Sequence, residues 1–202
     1  MRVRTDERRK AILRAAKEVF REVGFERASM VTIAARAEGS RTTLYGYFKT
    51  KEELFAAAMI EALEDQGEEI LDLLDTTRSD IGLVLRRFGE AYLRLITLPE
   101  ALAITRTAVA EAATKGTLGA HLYELGPRRA LQEMAAYLAR LDEQGALRIA
   151  DPMAAAAQLK AMYEAGIVEP LLYGARREAS PKETVAAAVE TFLRAYDKAY
   201  PR

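Results

Sequence analysis

The chain has 202 residues, half of them apolar and 30% charged, with no cysteine, one histidine and equal numbers of acidic and basic side chains. So large an apolar share builds a core and argues against disorder, while abundant Ala, Leu, Glu and Arg with few Gly and Pro favour an all-α fold. The missing cysteines exclude disulfides, thiolate metal sites and cysteine nucleophiles, and a single histidine excludes a histidine-rich metal cluster.

The zero net charge is unevenly divided. Residues 1–51 hold thirteen basic and six acidic side chains, a net +7, and the remainder carries −7. Two explanations fit such a basic segment: a surface for a polyanion, or an ordinary solvated face. No apolar run reaches the roughly 20 residues that cross a bilayer, and the charged first ten residues lead into an amphipathic pattern instead of a signal-peptide core. A soluble cytoplasmic protein with no membrane partner is expected.

In chain order, Ile12, Leu13, Ala16, Val19, Phe20 and Val23 share one helical face and predict a first helix over 5–23, stopped by Gly24. A short helix follows over 30–37 with Ser29 as its N-cap, then a second over 41–47 capped by Ser40, with Gly39 in the turn between them. Thr50-Lys51-Glu52-Glu53 reads as a capping box opening a long helix that ends by about Asp75. Further helices are predicted over 80–97, 100–113 and 117–144, the last interrupted near Gly126-Pro127. Asp151-Pro152 and Ser180-Pro181-Lys182-Glu183 start the last two, the second with another capping box. Pro170 predicts a kink or helix end between Gly166 and itself, because its ring meets the carbonyl four residues back. About nine helices result.

Two short helices around a glycine turn suit a helix-turn-helix, whose second helix lies in the DNA major groove. Arg41, Thr42 and Thr43 stand in that helix's first turn, within reach of base edges or phosphates, and Leu44 and Phe48 face inward. Tyr45, Tyr47, Lys49 and Lys51 offer hydroxyls and ammonium groups to phosphates, although Tyr45 fits core packing equally well.

The run Ala34-Ala35-Arg36-Ala37-Glu38-Gly39-Ser40-Arg41-Thr42-Thr43-Leu44-Tyr45-Gly46-Tyr47-Phe48-Lys49-Thr50-Lys51-Glu52-Glu53-Leu54-Phe55 resembles the signature of the TetR/AcrR regulators. The resemblance implies a DNA-binding domain over 1–50 and a ligand-binding and dimerisation domain over 51–202. It makes Arg41 and Thr42 base readers, Thr43, Tyr45, Tyr47 and Lys51 phosphate contacts, and Ser29 a cap turned towards DNA. The chain departs from the usual Ala-Gly-Val-Ser-Lys-Gly-Thr pattern, with Glu38 and Gly39 in the turn and Thr42 where glycine is common.

The resemblance further implies a homodimer through about 152–200 that binds a palindromic double-stranded operator and releases it on meeting a small hydrophobic or aromatic effector. On periodicity alone, the apolar faces of those last helices favour an intramolecular core, and only the resemblance favours a dimer interface. Candidate effector-lining residues are Phe88, Tyr92, Arg106, His121, Tyr123, Met134, Tyr137 and Tyr163, with core packing, solvent exposure or ion pairing as their ordinary alternatives. No cofactor is expected. An enzyme lacks sequence support, with no phosphate loop, nucleophile–histidine pair or metal cluster. An architectural protein that binds DNA without sequence preference is the second alternative.

Overall fold

The structure, a computed structural model, describes residues 2–113 and 117–197, without the side chains of residues 2–5, 62, 64 and 65. The last stretch of the expected dimerisation segment, 198–200, lies outside the described residues. Among those described the chain is helical, without a strand: α1 (Arg2–Arg27), α2 (Met30–Arg36), α3 (Arg41–Tyr47), α4 (Lys51–Leu71), α5 (Ile81–Ile96), α6 (Pro99–Ala112), α7 (Thr117–Tyr123), α8 (Arg129–Glu143), α9 (Pro152–Glu164), α10 (Val168–Leu172) and α11 (Pro181–Tyr196). The all-α expectation holds. The number rises above nine because two of the expected helices are each divided.

Both divisions are proline effects. Between α7 and α8 the backbone continues through a π turn, Glu124–Arg128, that contains Pro127. The expected interruption is therefore a widened turn, which accommodates a residue without an N–H while the chain stays helical. Near Pro170 the helix does stop: α9 ends at Glu164, Gly166 takes φ 68° and α10 begins at Val168. Pro170 thereby falls in the first turn of a new helix, where its missing donor costs nothing.

Local caps set most boundaries. Ser29 accepts from the Thr32 N–H at 3.1 Å, Ser40 from Thr43 at 3.0 Å, Asp80 from Leu83 at 2.8 Å, and Asp151 from both Met153 and Ala154 at 3.0 Å. At Thr50 half of the expected box forms, its hydroxyl accepting from Glu53 at 3.1 Å, but the Glu53 carboxylate reaches back to the N–H of Lys49 at 2.7 Å and not to residue 50. The expected second box is absent. Ser180 makes no side-chain cap bond, and Pro181 at the first helical position starts α11 instead.

By packing, the chain divides into two units, residues 1–65 with 107–122 and residues 66–106 with 123–202. The division falls inside α4. In the first unit Ile12, Leu13, Val19, Ile33, Leu44 and Leu54 are almost wholly buried. Phe20, Phe25 and Phe55 stack beside them, Phe55 lying 4.9 and 5.0 Å from the other two ring centres in edge-on geometry. Gly24 lets Phe25 join this group: at φ 77°, ψ 168° it breaks α1 in a conformation open essentially to glycine alone. The core of the second unit draws on α5, α8, α9 and α11, with Phe88, Tyr137, Tyr163 and Phe192 among its fully buried members.

Candidate nucleic-acid interface

The expected recognition helix occupies α3 with the predicted limits. Leu44 and Phe48 are buried, whereas Arg41, Thr42, Tyr45 and Lys49 are exposed and Thr43 and Tyr47 are half-buried. Arg41 thus has its whole guanidinium fork available from the first turn of α3. The Thr43 hydroxyl is within 2.8 Å of Ser40 Oγ, and the Thr32 hydroxyl is equally close to Ser29 Oγ, so both cap residues are locked by reciprocal contacts. The nearby Arg36 is occupied otherwise. Glu22 grips it with two bonds of 2.9 Å, and this pairing holds the Glu22 carboxyl below the usual carboxylate range.

The two lysines expected at phosphates have intramolecular partners. Lys49 donates to the Tyr45 carbonyl at 3.1 Å, at the end of α3. Lys51 donates to the carbonyls of Phe25 at 2.9 Å and Glu26 at 3.3 Å, and its ammonium lies 4.3 Å from the Phe25 ring centre. It therefore satisfies acceptors at the C-terminal end of α1 and ties α4 to that end. Nothing local to Lys51 announces this; the carbonyls it meets are 25 and 26 residues away.

The turn between α2 and α3 explains Glu38. The Gly39 N–H donates to the Ala34 carbonyl at 2.9 Å and the Glu38 N–H to Ala35 at 3.1 Å, the paired bonds of a Schellman ending. Such an ending places its first residue past the cap in left-handed backbone, and Glu38 has φ 51°. The same ending closes α8 at Gly145 and α10 at Gly174, with glycine at the strained position in both. Glu38→Gly is accordingly expected to stabilise the protein by about 0.5–1 kcal/mol, the steric relief outweighing the added freedom of the unfolded chain. A thermal melt checks this: the midpoint should rise by roughly 1–4 °C, and a fall would mean that the glutamate side chain itself supports the turn.

The expected effector residues separate into two sets. Phe88, Tyr92, Met134, Tyr137 and Tyr163 converge in the core of the second unit. Phe88 stacks on Tyr92 with ring centres 6.0 Å apart. Tyr92 donates to Glu164 at 2.5 Å, and burial next to that carboxylate pushes the phenol well above its ordinary range. Tyr163 donates to the Leu85 carbonyl at 2.9 Å. The Tyr137 hydroxyl is buried with no hydrogen-bond partner among the described residues, and its pKa is pushed up to about 12, chiefly by burial.

The other three lie elsewhere. Arg106 donates to the Leu172 carbonyl at 2.9 Å and to that of Leu171, closing the end of α10, while His121 and Tyr123 are exposed. The second unit also carries an open groove of about 490 Å³ lined by Ser79, Asp80, Ile81, Ala146, Leu147, Leu193 and Asp197, none of them marked out by the sequence. Among the described residues no cluster of acidic or histidine side chains is arranged to hold a metal ion, and no helix is long and apolar enough to cross a membrane.

Residues 83–198 match the family described as AefR-like transcriptional repressor, C-terminal domain, and residues 12–58 match bacterial regulatory proteins, tetR family. The HTH-type transcriptional activator FasR of Mycolicibacterium smegmatis is 37% identical over 95 residues, 47% of this chain and 43% of FasR, so the matched stretch spans less than half of that relative. Among solved structures, a TetR-family regulator from Mesorhizobium loti superposes with a TM-score of 0.84 at 25% identity, covering 96% of this chain and 98% of its own. The flavonoid-responsive regulator FrrA gives 0.79 at 26% identity, covering 96% and 100%.

Proposed function

The chain belongs to the TetR family of DNA-binding transcriptional regulators, and from that premise we propose that it is a homodimeric repressor released from a palindromic operator by a small hydrophobic or aromatic effector. The observation that carries this reading is α3 itself, a capped helix with its apolar side buried and Arg41, Thr42 and Tyr45 exposed together on its outer surface. Repression in preference to activation rests on the match of the C-terminal part to AefR-like repressors. The regulators matched here are not enzymes, and the second unit supplies sensing and dimerisation instead of catalysis.

Dimerisation follows from the way a palindrome is read, and the family resemblance is what assigns it to α9 and α11. One recognition helix per half-site needs two copies of the chain related by a two-fold axis. An effector would have to open space beside Phe88, Tyr92, Tyr137 and Tyr163, the aromatic members of the second unit's core. Aromatic faces there suit a planar ligand, and FrrA, a structural relative, responds to flavonoids. The Tyr137 hydroxyl supplies a polar group that the protein leaves unsatisfied, and an effector oxygen would offset the cost of its burial. Arg106, His121 and Tyr123 would then contribute only indirectly. Since α4 contains residues of both units, it is the element through which an effector would alter the spacing of the two recognition helices.

Selection of binding duplexes from a random library tests the first half of this reading. A palindrome bound roughly a thousandfold or more over bulk DNA is expected, and indifference to sequence would favour an architectural protein. On the selected duplex Arg41→Ala should cost about 1–3 kcal/mol for each base that Arg41 no longer reads, with a smaller effect on bulk DNA. Equal effects on both would remove Arg41 from base reading. For the second half, any compound that lowers operator affinity must bind the operator-bound dimer more weakly by the same factor, which titrations with and without operator measure.

A further inference from the structure

The basic excess of the first 51 residues is not concentrated in α3: five of its thirteen basic side chains fall within the first ten positions. Two of these meet the helix-turn-helix from α1. Arg8 lays its guanidinium over Gly39, so near that a Cβ at residue 39 would stand 3.1 Å from Cζ and collide with Nη2. Arg9 lies over the Phe48 ring, 5.6 Å from its centre. The two arginines thus bracket α3, one at the turn before it and one at the residue that closes it.

Arg8 differs from the arginines engaged elsewhere. Arg36 is paired with Glu22, Arg129 with Glu68 and Arg194 with Glu190, and Arg106 closes α10. Among the described residues Arg8 makes no hydrogen bond or ion pair, yet it is half-buried against the turn. A guanidinium partly withdrawn from water with all its donors unused suits an incoming phosphate, whose oxygens match the fork in pairs. The space it occupies exists because residue 39 has no side chain.

We propose that Arg8 is a DNA-phosphate contact of this protein, positioned by the absence of a side chain at Gly39. The inference rests on the DNA-binding reading above but not on which sequence is read. Full-length wild type, Arg8→Ala, Gly39→Val and the double variant are compared on the duplex selected by the wild type and on a random-sequence duplex of equal length. Gly39 has ordinary backbone torsions, so valine is tolerated there, and circular dichroism confirms the fold of each variant.

Arg8→Ala should weaken binding to both duplexes about tenfold or more and lower the slope of log affinity against log salt by about two units in the dimer, one for each phosphate no longer held. Gly39→Val should weaken binding similarly, and should add little once Arg8 is absent. Unchanged affinity and slope for Arg8→Ala overturn the proposal. A weakening confined to the selected duplex with an unchanged slope overturns it in favour of base reading, and an equal effect of Gly39→Val with and without Arg8 overturns the positioning role. If the wild type selects no palindrome, sequence-specific regulation fails, while the random duplex still decides the role of Arg8.

Discussion

Phe55→Ala is expected to abolish DNA binding by unfolding the first packing unit. The Phe55 ring is 4% exposed and lies edge-on to both Phe20 and Phe25. It thereby joins the start of α4 to α1 on both sides of the Gly24 break. Truncating a buried phenylalanine costs about 3–5 kcal/mol, a large fraction of the stability of a typical domain. The Phe25 ring that Lys51 covers would be left without its backing at the same time, so the cost should sit at the upper end of that range. Hydrogen exchange provides the measurement. Amides of α1 to α3 should lose protection, whereas those of α8, α9 and α11, packed around a different core, should retain most of theirs. Loss of protection spread equally over both groups would show one cooperative core and refute the independent packing of the first unit. Phe55→Leu keeps most of the buried volume and should retain measurable binding.

What is legible in the sequence is mostly local. The limits of α3, the caps at Ser29, Ser40 and Asp151 and the break before Pro170 each depend on residues within one or two turns of each other. The sequence is silent where a distant group competes for the same atoms. Lys51 is expected at a phosphate, and nothing near it in the chain announces the carbonyls 25 and 26 residues earlier that accept from its ammonium. Glu53 has two backbone donors within reach, and the one at Lys49 takes it. Arg106 offers no sequence signal at all for closing a helix 66 residues later.

The turn between α2 and α3 is a further case. In the sequence Glu38 is only a departure from the family pattern, whereas in the structure it takes left-handed backbone. Arg8 and Arg9 are visible in the sequence only as part of a charge total, because their proximity to Gly39 and Phe48 depends on how α1 crosses the later helices. For the second unit, periodicity marks Phe88, Tyr92, Met134 and Tyr163 as apolar-face residues without distinguishing core from pocket, since both bury the same side chains. That the Tyr137 hydroxyl is buried without a hydrogen-bond partner among the described residues is a property of three-dimensional arrangement and not of sequence.

Gly89→Val is expected to be as damaging to the second unit as Phe55→Ala is to the first, and its consequence reaches the operator through dimerisation. Gly89 is the point where α5 meets α9 and α11. A Cβ there would stand 2.7 Å from Tyr163 Cε1, 2.9 Å from Cζ and 3.0 Å from Val185 Cγ1. Neither neighbour has room to withdraw, because both side chains are fully buried and the Tyr163 hydroxyl is fixed on the Leu85 carbonyl one turn earlier in α5. Alanine at this position forces that ring aside at a cost of about 1–3 kcal/mol, and valine should exceed it, since overpacking also breaks the buried hydroxyl's bond. Gly67→Ala is the control: it lies in α4 with nothing within 4 Å of its added Cβ, and should be neutral or mildly stabilising. Because α9 and α11 are the helices proposed to meet their copies in the dimer, displacing them at this crossing should shift the protein towards monomer in sedimentation. A monomer holds one half-site at a time and gives up the roughly 10²–10⁴-fold gain from binding both at once. Affinity for a full palindrome should therefore fall towards that for an isolated half-site, while half-site binding itself changes little. Were Gly89→Val to melt with the wild type, the close crossing would be disproved; were it to lose stability yet remain a dimer with full palindrome affinity, the interface would have to lie outside α9 and α11.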